Sequence, residues 1–189
     1  TISRRQRQMC IRDRIWTDRP SKLSTAVLPY PIELAGLSAN EKCRQIAKIL
    51  KNQEVKAAVI TLPDSIAWLL NLRGNDIVHN PVAHAFLIIQ CDTSIQIFCQ
   101  NNEFSHITKD LGINIKVRPE DEFSNALSEL EGSILVDEAT VPFAVSTIIK
   151  KSGGKIILGN DPISLPKACK NSVELDNARL CHSRDAAYM

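Results

Sequence analysis

DSIAWLLNLRGNDIVHNPVAHAFLII, residues 64–89, decides the fold, because three kinds of local structure follow one another within it. DSIAWLLNL (64–72) spaces Ile66, Leu69 and Leu70 at helical intervals and reads as a short helix, stopped near Gly74 in a left-handed turn. RGNDIVHNP (73–81) is polar and rich in Gly, Asn, Asp and Pro, the residues of turns. Ala85 to Gln90 then forms a short apolar run of strand length. A helix, a polar loop and a buried strand in immediate succession are a unit of an α/β domain.

The same alternation continues in both directions. Upstream, Ala57 to Thr61 reads as a buried strand, preceded by a helix that opens on the capping box Ser38–Glu41 and carries Ile46, Ile49 and Leu50, with Cys43 and Ala47, at helical spacing. Downstream, Ile95 to Gln100 pairs with 85–90 as a hairpin turning at 91–94. Helices at 102–111, 119–130 and 140–151 alternate with strands at 113–118, 133–137 and 155–158. Pro162 and Pro166 break the chain, and Asn171 or Ser172 caps a last helix that continues to Met189. The predicted fold is α/β, a single domain with a mixed β-sheet flanked by helices on both faces.

Composition narrows the function classes. The 189 residues are 44% apolar and 23% charged, ordinary for a globular domain. The longest apolar-rich run, 83–89, is strand length and interrupted by His84, far short of a membrane span. Six scattered cysteines (10, 43, 91, 99, 169, 181) without C-x-x-C spacing read as reduced thiols, which places the protein in the cytoplasm. The four histidines form no H-x-x-x-H or H-E-x-x-H pattern, so no metal site is expected. No G-x-S-x-G and no phosphate-binding glycine fingerprint occurs, and Gly153-Gly154 precedes a strand, as a turn does. No catalytic residue is therefore assigned.

The chemistry-bearing feature is the loop itself. Arg73, Asn75, Asp76, His79 and Asn80 fall between an apolar helix and an apolar strand, where binding groups concentrate on rigid scaffolds. A guanidinium directed by Asp76 is one reading; a solvated turn closed by Asn and Gly is the other. Trp68, among Ile66, Leu69 and Leu70, reads as core.

Three stretches carry a resemblance: IWTDRP (15–20), the opening stretch (64–89) and LPKACKNSVELDNARLCHSRDAAYM (165–189). Together they resemble the three-domain Xaa-Pro aminopeptidases of the creatinase/prolidase family. The resemblance implies a linker at 15–37, a creatinase N-terminal-like α/β domain at 38–165, and at 166–189 the hinge and first helix leading into a catalytic domain. It implies an enzyme that removes the residue preceding a proline at position two of a peptide, using a dinuclear metal centre, usually manganese. The Asp, His and Glu ligands of that centre lie in the catalytic domain, so this stretch is expected to bind no cofactor and to be inactive alone. The implied partners are a proline-containing peptide and a second subunit in a homodimer. Within that frame Arg73 and His79 are expected to line the substrate cleft, with Asp76 orienting Arg73. A stand-alone interaction module is the rival reading.

RRQRQMCIRD (4–13) stands outside this pattern. It matches the translation of a transposase-type sequencing adapter, so residues 1–14 are read as non-native, attached to an assembled environmental read. Five Arg and one Asp leave with them, and the formal charge moves from +2 to −2. The apparent basic arm then supports neither a nucleic-acid nor a membrane partner.

Overall fold

The computed structural model describes residues 25–100, 104, 108 and 111–188. Elements run in the order β1 (Leu28–Pro29), α1 (Ile32–Ala35), α2 (Ala39–Asn52), β2 (Ala57–Ile60), α3 (Pro63–Leu69), β3 (Leu72–Arg73), β4 (Phe86–Gln90) and β5 (Ile95–Cys99). After β6 (Ile115–Pro119) come α4 (Phe123–Ser128), β7 (Ser133–Asp137), α5 (Phe143–Lys151), β8 (Lys155–Gly159), α6 (Ser164–Ala168) and α7 (Ser172–Tyr188). Six strands form one mixed sheet in the order β6-β5-β4-β2-β7-β8, while β1 and β3 make a separate antiparallel ribbon.

β2 lies at the centre, antiparallel to β4 and parallel to β7. Its four residues are all buried, as expected of a strand covered on both faces. Period-two alternation divides the sheet between two cores. Ala58, Ile60, Leu87, Ile89, Ile97 and Leu135 face α2 and α3, whose Ile46, Leu50, Ile66 and Leu69 share their cluster. Ala57, Val59, Ile88, Phe98, Ile134 and Val136 face α4 and α5, where Phe123 stacks on Phe86 at 4.6 Å between ring centroids. The α/β mixed sheet with helices on both faces is as the sequence pattern indicates.

Ser38 and Glu41 close the capping box at the start of α2. The β4–β5 hairpin turns on Asp92, whose carboxylate accepts from the amide and hydroxyl of Ser94. Asn171, not Ser172, caps α7: its Oδ1 accepts from Glu174 N, and Glu174 Oε2 accepts from Asn171 N.

Four expectations need correction or fall outside. The proline-rich stretch is not all linker: from Thr25 on it joins the domain, with Val27 and Ala35 buried and β1 paired to β3. Its prolines fit because Pro29 lies in an isolated two-stranded ribbon and Pro31 precedes the first turn of α1. Pro166 does not break the chain, since it occupies the first turn of α6, where its missing amide costs no helical hydrogen bond. Of the helix expected at 102–111 only Phe104, Thr108 and Leu111 are described, and the reading of residues 1–14 as adapter lies outside the described residues.

Candidate functional site

The loop between β3 and β4 is a twisted hairpin and not an open turn. Gly74 N donates to Pro81 O, Asp76 N to Val82 O, and Asn80 N to Ile77 O, closing a tip at Val78 and His79. Gly74 is required for this crossing: a Cβ there would lie 2.7 Å from that of Ala83 and 2.8 Å from its backbone nitrogen. The left-handed stop after α3 falls instead on Asn71, at φ 51°. Its side chain makes that conformation useful, because Nδ2 donates to Leu37 O and Oδ1 accepts from Lys42.

The five loop residues do not act as one cluster. Asp76 faces the incoming chain: Oδ1 accepts from Thr25 N (2.7 Å) and Thr25 Oγ1 (2.8 Å), and Oδ2 from His84 N (2.8 Å). Asn75 joins through its backbone, N donating to Thr25 Oγ1 at 2.8 Å. Asp76 therefore does not orient Arg73. The guanidinium of Arg73 turns the other way, 3.9 Å above the Tyr30 ring, and Nη1 donates to Leu72 O and Ala67 O. Burial is the main cause holding its pKa below the usual guanidinium range. His79 and Asn80 remain at the exposed tip, His79 left-handed at φ 62°, beside Val78 at 71% exposure.

A second polar group gathers around Asn71 and Trp68, just ahead of β3. Lys42 is only 1% exposed, with Nζ 2.7 Å from Asn71 Oδ1, 3.0 Å from Trp68 O and 4.1 Å from the Trp68 ring centroid. Desolvation lowers its pKa to about 8, against the opposing pull of Glu174. Glu174 accepts from Trp68 Nε1 at 3.0 Å, and Asn171 Nδ2 reaches Ala35 O at 2.8 Å. Gly36, at φ 71°, leaves room for the Asn171 side chain, which would collide with a Cβ there. The first turn of α7 is thus stitched to α1 and α3, while the helix beyond it buries no residue. Trp68 is not simply core: it packs on the core and also bridges Lys42 and Glu174. The signal for Lys42 was present, since it follows Ala39 and precedes Ile46 on the buried stripe of α2.

Asp161 is buried, and it accepts from Ser65 Oγ at 2.5 Å and Ile163 N at 2.8 Å. Burial raises its pKa, opposed by the Ser65 hydrogen bond. With the Lys167–Asp64 ion pair it fastens α6 to α3. Burial pushes the Cys43 thiol up to about 12, so it behaves as a small apolar side chain. Among the described residues no three His, Cys, Asp or Glu side chains are grouped to hold a metal ion, so these side chains do not fit a dinuclear centre. Among the same residues no helix is long and apolar enough to cross a membrane.

Residues 18–174 match the creatinase/prolidase N-terminal domain. The chain belongs to that family. Curated relatives of this creatinase/prolidase N-terminal domain include a probable Xaa-Pro aminopeptidase P from Leptosphaeria maculans, 32% identical over 188 residues, covering 94% of this chain and 31% of that protein. Another, from Talaromyces stipitatus, is 36% identical over 188 residues, covering 94% of this chain and 28% of the relative. The crystal structure of X-prolyl aminopeptidase from Caenorhabditis elegans, described as a cytosolic enzyme with a di-nuclear active site, matches with a TM-score of 0.80 at 28% identity. That match covers 93% of this chain and 30% of the other. The Xaa-Pro dipeptidase from Bacillus anthracis shares the fold at 14% identity, with a TM-score of 0.56 over 74% of this chain and 38% of its own. The creatinase/prolidase N-terminal domain described by this chain spans about three-tenths of the length of the curated relatives it matches.

Proposed function

We propose that this chain is the non-catalytic middle domain of an Xaa-Pro aminopeptidase that removes the N-terminal residue from peptides with proline at position two. The observation that carries the reading is the match to the C. elegans enzyme across nearly the whole chain and under a third of that enzyme. In this reading the hydrolytic machinery belongs to a catalytic domain outside these residues. There a dinuclear metal centre, manganese in our reading, activates water and stabilises developing charge. The middle domain packs on that catalytic domain and presents the 74–84 hairpin at the active-site entrance. An exposed tip whose His79 and Asn80 side chains make no hydrogen bond among the described residues suits contact with a peptide main chain. Cytoplasmic function accords with the absence of a disulfide among the described cysteines and with the cytosolic relative.

Incubating this chain alone with proline-second peptides and Mn²⁺ tests the division of labour. The expected result is intact peptide, against cleavage by the full-length enzyme. Hydrolysis by the chain alone would sink the reading.

A further inference from the structure

We infer that Asp76 is the positioning residue of the cleft hairpin, and that it acts by riveting the loop to Thr25 in the irregular segment ahead of β1. The inference rests on the reading of the 74–84 hairpin as part of the active-site wall. Its physical basis is the convergence of three donors on one carboxylate: an amide and a hydroxyl from Thr25, and the amide of His84. Thr25 Oγ1 completes a ring by accepting from Asn75 N while donating to Asp76. An ionised Asp is acceptor-only, so it satisfies all three donors; an Asn would turn its own NH₂ towards one of them.

The rivet is set at the base of the hairpin, and the side chains beyond it are left for another partner. Among the described residues no side-chain hydrogen bond reaches residues 77–80, and the tip is closed by backbone contacts alone. Val78, His79 and Asn80 project into solvent, with His79 held in a left-handed conformation that few non-glycine residues adopt. A tip with one apolar side chain, one imidazole and one amide fits an extended peptide, which offers side chains and main-chain polar groups together. Loosening the base displaces all three contacts at once. Arg73, directed at Tyr30, is not part of this device.

The test uses the full-length enzyme that contains this domain, assayed on a tripeptide and on longer proline-second peptides. Asp76→Asn is expected to raise KM for the longer peptides about tenfold, with kcat changed less than about twofold. Thr25→Val is expected to act in the same direction, and Thr25→Ser, which keeps the hydroxyl, to restore the wild-type KM. A merely structural role would instead lower the folded fraction, and with it kcat, at constant KM. The double variant Val78→Ala/His79→Ala probes the cleft reading independently. If the tip variant raises KM and Asp76→Asn does not, the rivet is overturned and the cleft reading stands. If neither raises KM, both are overturned. Should Asp76→Asn fail to fold, the Thr25→Val and Thr25→Ser pair decides, and equal wild-type KM values for the two would overturn the inference.

Discussion

Lys42 and His79 are polar groups held by the same short stretch, residues 68–80, yet their surroundings are opposite. Around Lys42 the polar groups are paired: Asn71 Oδ1 and Trp68 O accept from the ammonium, and Glu174 accepts from the indole N–H. Around His79 the backbone is fixed while the side chains of the tip face solvent. A buried group that is fully paired contributes to rigidity, and breaking one partner leaves an expensive unpaired charge. An exposed group that is rigidly held contributes little to stability and is available for a ligand. Trp68 and Asn71 thus help anchor the first turn of α7 and Lys42, while residues 74–84 form a hairpin with an exposed tip.

Substitutions should separate the two regions. The largest effect is expected at Trp68→Ala, which deletes packing on the core, the cation–π contact and the Glu174 donor together. A loss of about 3–4 kcal/mol in chemical denaturation is expected, and a loss below about 1 kcal/mol would remove the junction from the account.

Next in size is the pH response of Lys42. Its pKa of about 8 in the folded protein lies below the unfolded value, so the unfolded chain binds the extra proton between roughly pH 8 and 10.4. The ammonium therefore penalises the fold below pH 8, and the penalty is relieved as pH rises through that window. Relative to Lys42→Met, the wild type should gain roughly 2–3 kcal/mol across it; parallel stability curves would contradict the assignment. Glu174→Gln should come third, at about 1 kcal/mol, with faster amide exchange in the first turn of α7 as its signature. Unchanged exchange there would show that Asn171 alone holds the helix. Last comes Val78→Ala, expected to alter stability by less than about 0.5 kcal/mol; a larger loss would mean the tip is packed and not presented.

Much of this was readable from sequence where the cause is local. Ser38 and Glu41 announce α2 because a capping box needs only four residues, and the turn at Asp92–Ser94 follows from Asx chemistry. The alternating cores follow from period-two patterning in strands buried on both faces. The left-handed residue after α3 was misplaced onto Gly74, because Asn71 tolerates that conformation and adds side-chain bonds that Gly lacks. Gly74 serves close approach to Ala83. What could not be read is long-range pairing. Thr25 and Asp76 are 51 positions apart, and nothing in either neighbourhood identifies the other. Proximity in sequence pairs Arg73 with Asp76, but the β1–β3 ribbon brings Tyr30 beneath its guanidinium. Lys42 was hidden by the expectation that lysines on a helix face water.

The most direct test of the central claim measures where the tip sits. In the full-length enzyme carrying Val78→Cys, the alkylation rate at that position is followed by mass spectrometry with and without a long, non-hydrolysable proline-second peptide. The cleft reading predicts that a saturating peptide slows alkylation at position 78. Equal rates at position 78 in both conditions would place the hairpin away from the substrate and contradict it.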